Sequence, residues 1–193
     1  MKILIATHNV NKAKEFKELL GSSYEVYTLK DVGYTQEIVE DATTYIGNAT
    51  LKVDALKDKF KDYIIISDDS GFSIKALNFE PGVFSARYLG EDTPYIIKNQ
   101  KILDLMKNEN DRQATFMCAM TLYYQGHYFQ TQQVVYGQVA KEILGDGGFG
   151  YDPIFIPEGS TKSYAEDYSA KQKSSHRAKA LREIIRYVQY LEN

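Results

Sequence analysis

The sequence predicts a mixed α/β fold, on three observations. Strand and helix periodicities alternate through the first third of the chain, two long strand-like runs meet at a glycine turn in the middle, and a strongly periodic helix closes the sequence. The first element is "KILIA", residues 2–6, a short continuous apolar run that reads as a buried strand. "NKAKEFKELL" follows, with Ala13, Phe16, Leu19 and Leu20 on one helical face. "YEVYTL" reads as a second strand. Residues 45–60 keep helical spacing through Ile46, Ala49, Val53, Leu56 and Phe60, and "YIIIS" after them is a third, buried strand. "RQATFMCAMTLYY" and "YFQTQQVVYGQVA", separated by "QGH", predict an antiparallel hairpin with Gly126 in the turn. "PIFIP" is a further strand. From about Ser175 the residues Ala178, Leu181, Ile184, Ile185, Val188 and Leu191 recur at helical spacing to near the C-terminus. No repeat, low-complexity tract or Pro/Gly/Ser linker interrupts this order, so residues 1–193 are expected to form a single domain.

Composition narrows the function. The 193 residues are 44% hydrophobic and 25% charged, enough for an ample core. A net charge of −3 argues against sequence-independent binding to nucleic acid. There is no long apolar run, so no membrane partner is expected, and "MKILIATHNV" lacks the longer apolar core of a signal peptide, so a cytoplasmic location is expected. Cys118 is the only cysteine and there are three histidines, which excludes an internal disulfide and makes a zinc cage a poor reading.

The polar residues carry more chemistry. Two helices open on cations: "THNVNK" puts Thr7, His8, Asn9, Val10, Asn11 and Lys12 in a strand-to-helix turn with Lys14 close behind, and "SHRAKAL" puts His176 and Arg177 in the first turn of the last helix. A helix N-terminus carries about half a positive charge, so cations there are unfavourable unless an anion is held between them and the free N–H groups. Solvated surface charge is the plainer alternative for any one of them. "IIISDDSG" places Asp68, Asp69 and Ser70 at the end of a buried strand, where ligands of open α/β sheets bind. Strand alternation sends one aspartate into a site and leaves the other to brace the turn. Glu40 and Asp41 precede the helix that carries Asn48 and Lys52. Carboxylates beside phosphate-binding cations imply Mg²⁺, for which Glu40 with one of Asp68 and Asp69 would suffice. "GDGGFGYDPIF" is neither a P-loop nor a dinucleotide fingerprint. It delivers Phe149, Tyr151 and Asp152 together, two rings and a carboxylate that could hold a flat heterocycle; an ordinary turn with Phe149 in the core reads equally well.

Taken in order, "THNVNKAKE", "SDDSGFSIKALNFEPGVFSARYLG", "GGFGYDPIF" and "SHRAKAL" resemble the motif series of the inosine triphosphate pyrophosphatase family. The resemblance spans nearly the whole chain. It implies an elongated mixed sheet with flanking helices, two lobes around a central cleft, Mg²⁺ dependence and a homodimer. The implied activity is hydrolysis of ITP, dITP and XTP to the monophosphate and pyrophosphate. Thr7, Asn9 and Lys12 match the family's triphosphate-binding turn, which also spans His8, Val10 and Asn11, and Lys52 matches its helical lysine. Glu40 and Asp69 fall at the metal positions, Asp69 also at the general base, and Ser70 at a substrate contact. Phe149, Gly150, Tyr151 and Asp152 match the segment that holds the base. Lys171, His176 and Arg177 match the last motif, with His176 and Arg177 near the base edge and Lys171 available to base or phosphate. Donors there would favour a 6-oxo purine over adenine. His8 stands where the family usually has Gly and is expected to face solvent, with a phosphate contact as the alternative. Gly47 replaces a common Glu, "LNFEPG" replaces Leu-Gly-Gly-x-Pro-Gly, and Ala178 replaces a common Gly. Ser85, Arg87 and Tyr88 fit a "SARY" motif whose role is wall, brace or dimer contact. A septum-formation-type nucleotide pyrophosphatase and a non-catalytic nucleotide-binding regulator are the alternatives.

Overall fold

The computed structural model describes residues 1–192. In chain order the elements are β1 (Lys2–Ile5), α1 (Val10–Leu20), β2 (Glu25–Thr28), α2 (Tyr45–Asp54), β3 (Ile64–Ile74), β4 (Pro81–Gly82), α3 (Tyr95–Leu105), β5 (Gln113–Tyr124), β6 (His127–Val139), β7 (Phe155–Pro157), α4 (Tyr168–Ser174) and α5 (His176–Glu192). The fold is mixed α/β: one seven-stranded sheet in the order β2-β1-β3-β5-β6-β7, with β4 on β3, and flanking helices. β1 runs parallel to both β2 and β3, the βαβαβ arrangement expected from the alternating periodicities, whereas β4 and β7 pair antiparallel with β3 and β6. Gln125 and Gly126 link β5 to β6 with φ of 47° and 88°, the doubly positive turn whose twist matches paired strands.

The chain packs as two compact units, and β3, β5 and β6 each contribute residues to both. Of the described residues, the first comprises Met1–Asp69, Cys118–Gln133 and residues 177–192. Its β1 and β3 are apolar on both faces: Ile3, Ile5, Ile64 and Ile66 pack with Phe16, Met120, Leu181, Ile184 and Val188, while Leu4 and Ile65 pack the other way with Leu29, Val53 and Leu56. The second comprises Ser70–Met117 and Val134–His176, around Phe72, Ile102, Met106, Phe116, Val139, Tyr151, Phe155 and Tyr164.

Three expectations change. α2 ends at Asp54, because beyond Ala55 the bonds mix i→i−3 with i→i−4 spacing (Leu56 N–H to Val53 O, Phe60 N–H to Leu56 O), although Leu56 still points inward. β3 runs on through "SDDSGFSI", so Asp68 and Asp69 lie in mid-strand, not at its end. α3 and α4 were not foreseen; α3 buries Lys98, Asn99, Ile102 and Leu103, whose spacing marks a helix face but whose first two members are polar. Among the described residues no helix is long and apolar enough to cross a membrane.

Candidate active site

The first unit gathers a network of charged side chains. β1 ends in the turn that starts α1: Asn9 is the N-cap, its Oδ1 accepting the N–H groups of Asn11 and Lys12 at 3.0 and 3.1 Å, and Thr7 Oγ1 accepts the Asn9 N–H at 3.1 Å. Val10 and Asn11 are exposed. This cap fixes the direction in which Lys12 leaves the helix, and its ammonium reaches Asp68 Oδ2 at 3.1 Å. The same carboxylate oxygen accepts from Arg177 Nη2 at 2.8 Å and Nε at 3.2 Å, and Arg177 Nη1 donates to Glu15 at 2.5 Å. Asp68 and Arg177 are each 1% exposed. The buried Arg177 and the partly buried Lys12 thus face two buried carboxylates, the condition under which such charges are tolerated.

Asp69, the next residue, points to the opposite face of β3 and meets different surroundings. Its Oδ2 accepts from Asn48 Nδ2 at 3.0 Å, and Asn48 Oδ1 accepts the Ala42 N–H at 2.9 Å. One buried amide therefore ties the loop carrying Glu40 to Asp69. Thr44, whose hydroxyl accepts the Gly47 N–H at 3.1 Å, starts the helix that presents both Asn48 and Lys52. Lys52 Nζ binds Glu40 Oε2 at 2.7 Å.

The electrostatics separate the two aspartates. Burial works to raise the Asp68 carboxyl, but Lys12 and Arg177 override it and hold the group well below the usual carboxylate range. For Asp69 burial prevails: its pKa lies above the ordinary value despite Lys12, Lys52 and the Asn48 hydrogen bond, and Glu40's charge pushes the same way. Burial likewise lowers Lys12, yet Asp68 brings the ammonium above its ordinary value, so it stays charged. Asp68 is therefore an ionised brace for Lys12 and Arg177, and Asp69 has the higher proton affinity of the two.

Among the described residues no group of three or more His, Cys, Asp and Glu side chains forms a metal cage. Mg²⁺ demands less, one or two carboxylates with waters and substrate phosphate completing its shell. Glu40 and Asp69 fit that pattern, since they are close enough for Glu40's charge to shift Asp69, a like-charge pair that a divalent cation would relieve.

The second unit carries the remaining candidates. Ser70 follows Asp69 on β3 and is half-buried. Asp152 and Lys171 form an ion pair at 2.6 Å, each side chain 2% exposed, and Asp152 Oδ2 also accepts the Phe149 N–H at 2.8 Å. Gly148 is required here: its φ is +70°, and a Cβ would run into the Asp152 carboxylate. The Lys171 ammonium lies 4.6 Å from the Phe149 ring centroid and 5.6 Å from that of Tyr168. Gly150 holds φ +72°, and His176 stacks on Phe116 at 4.7 Å and 6°.

Several placements depart from the sequence expectations. Tyr151 offers no open ring face: it is 3% exposed, stacked on Phe72 at 5.1 Å, edge-on to Tyr95, and its hydroxyl donates to Ser85 O at 2.8 Å. Phe149, half-buried, is the ring that this segment presents. Arg177 was expected at the base edge, but its guanidinium is engaged by Asp68 and Glu15. His8, by contrast, is exposed as expected, with its Nε2 donating to Gln36 O at 2.9 Å and its ring stacked with Tyr34 at 6.2 Å. Ser85 is a brace, its hydroxyl bonded to Gly82 O and to the backbone of Phe72. Glu15 and Asn48 were missing from the expected site. Glu15, one turn beyond Lys12, could have been found as an acid beside the apolar face of α1; Asn48 reads as any polar helical residue until its two partners are seen.

Comparisons with known proteins agree with this frame. Residues 3–187 match the model of the Ham1 family. A Bacillus subtilis protein named dITP/XTP pyrophosphatase is 41% identical over 191 residues, covering 96% of each chain. One of the same name from Caldanaerobacter subterraneus subsp. tengcongensis is 37% identical, covering 97% of this chain and 96% of its own. The solved Staphylococcus aureus Ham1 protein superposes with a TM-score of 0.85 at 32% identity over 98% of both chains. With this coverage and identity, the chain belongs to the Ham1 family.

Proposed function

We propose that the chain hydrolyses non-standard purine nucleoside triphosphates, ITP, dITP and XTP, to the monophosphate and pyrophosphate, and so removes them from the nucleotide pool. The observation that carries the reading is the division of labour on β3. Asp68 is neutralised inside an ion-pair network, while Asp69, beside it, keeps a raised proton affinity between Lys12 and Lys52. The dITP/XTP pyrophosphatase relatives give the substrate class.

Asp69 orients a water and takes its proton as the oxygen attacks the α-phosphorus, the role of a general base within hydrogen-bond reach of the nucleophile. Lys12 and Lys52 spread the charge developing on the leaving pyrophosphate. Asn48 holds the Asp69 carboxylate, and the Asn9 cap orients the start of α1. Glu40 and Asp69 would hold Mg²⁺, which when bound supplies charge neutralisation to the phosphates and acidity to water. Phe149 stacks on the purine, and Asp152 with Lys171 fixes the segment that presents it. Positioning and charge stabilisation account for most of the rate. Homodimer formation and a cytoplasmic location belong to the same reading and rest on the family resemblance and the substrate pool.

A nucleotide panel tests it, with pyrophosphate and orthophosphate measured separately in the presence and absence of Mg²⁺. Pyrophosphate released from ITP and XTP far faster than from ATP, and lost on chelation, is expected. Orthophosphate as the primary product overturns the reading.

A further inference from the structure

The buried face of α3 is polar along its first turn, where a core helix should be apolar. Tyr95, Lys98 and Asn99, at i, i+3 and i+4, share that face. Lys98 is 1% exposed and Asn99 2%. Asn99 Nδ2 donates to Gly150 O at 3.1 Å, in the middle of the segment from Phe149 to Asp152. Lys98 Nζ donates to Ala86 O at 2.6 Å, in the "SARY" turn, with its ammonium 5.0 Å from the Tyr95 ring centroid. The two gripped segments are joined to each other, since the Tyr151 hydroxyl donates to Ser85 O and the Tyr95 ring packs edge-on against Tyr151.

This arrangement is poorly explained as a device for stability. Burial lowers the Lys98 pKa, the mark of an ammonium held away from water. Asn99 Oδ1 is buried and accepts no hydrogen bond from the described residues, an arrangement that costs stability where a leucine would cost none. What the polar face accomplishes is geometric: Gly150, at φ +72° and without a Cβ, has few conformational restraints of its own, and the amide of Asn99 fixes where its carbonyl points.

We infer that Asn99, supported by Lys98, is a positioning residue for base recognition: it holds the carbonyl of Gly150 so that Phe149 presents its ring to the purine. The inference rests on the reading of residues 149–152 as the base-holding segment. It also assigns the "SARY" turn its place, as the second point of attachment of the same bracket.

Asn99→Leu, near in shape, and Asn99→Ala, in case leucine impairs folding, test it through two competitive inhibitors, inosine monophosphate and inorganic tripolyphosphate, with Phe149→Ala alongside. The expected result is inosine monophosphate binding weakened about threefold to tenfold, the loss of one hydrogen bond, with tripolyphosphate binding unchanged and the melting temperature little altered. Equal weakening of both inhibitors would mean a general structural role and overturns the proposal. If Phe149→Ala weakens the monophosphate and neither Asn99 variant does, the bracket is wrong while the base-holding reading stands. If Phe149→Ala is itself silent, the reading of the segment fails and the proposal with it.

Discussion

Asp68→Asn and Asp69→Asn, adjacent on one strand and chemically the same change, should fail in opposite ways. Asp68 is 1% exposed and its Oδ2 is the common acceptor of Lys12 at 3.1 Å and of two Arg177 nitrogens at 2.8 and 3.2 Å. Replacing it with a neutral amide takes from Lys12 and the buried Arg177 the carboxylate they share, leaving Arg177 paired with Glu15 and Lys12 with the weaker influence of Asp69. Removing one partner of a buried pair costs about 3–5 kcal/mol, and at about 2–4 °C per kcal/mol for a chain of this length the melting temperature should fall by roughly 6–20 °C. Because the folded-state pKa of Asp68 is depressed, its contribution is present above the unfolded value and lost as pH falls through the folded one. The gap between wild type and variant should therefore be full at neutral pH and shrink only below about pH 4. Asp69→Asn removes a carboxylate that burial already disfavours, and the substituted amide still offers Asn48 an oxygen, so the melting temperature should hold or rise. Turnover should nevertheless drop at least about a hundredfold, the low end for losing a general base. Calorimetry and steady-state pyrophosphate release on both variants decide the matter. An Asp68→Asn protein as stable as wild type, or an Asp69→Asn protein that keeps most of its activity, would refute the division of roles.

Other expectations follow from single contacts. Gly148→Ala, at φ +70° with Asp152 in the path of the new methyl, should disturb the Asp152–Lys171 pair and raise KM for every purine substrate; an unchanged KM would detach that pair from base binding. Tyr151→Phe loses only the hydrogen bond to Ser85 O, so it should cost about 0.5–1.5 kcal/mol in denaturant titration and leave KM near wild type, whereas a large KM effect would restore Tyr151 as a substrate contact. Cys118, fully buried and with its thiol pushed far up chiefly by burial, should resist alkylation at pH 8 until denaturant is added, and rapid labelling of the native protein would contradict its placement.

The sequence by itself determined the elements whose apolar residues repeat: the buried strands at β1 and β3, the βαβαβ order, the β5–β6 hairpin with Gly126 in its turn, and the last helix. Each depends on local periodicity or turn chemistry, which a few neighbouring residues express without the rest of the chain. It also singled out Lys12, Lys52, Asp68, Asp69, Phe149 and Asp152 as the chemically loaded positions. Tertiary structure alone decided what each charge is for. Asp68 and Asp69 are identical in sequence terms, and only their surroundings separate them: Arg177, more than a hundred residues away, holds Asp68 ionised, whereas burial raises the proton affinity of Asp69 and Asn48, on a separate helix, holds its carboxylate in place. The same holds for Tyr151, which composition offers as a stacking ring and packing against Phe72 turns into core, and for Arg177, whose charge is consumed by Glu15 and Asp68. A pKa, a burial and a hydrogen-bond partner are properties of what surrounds a side chain in space, and contacts between residues far apart in the chain leave no mark in the periodicity of either segment.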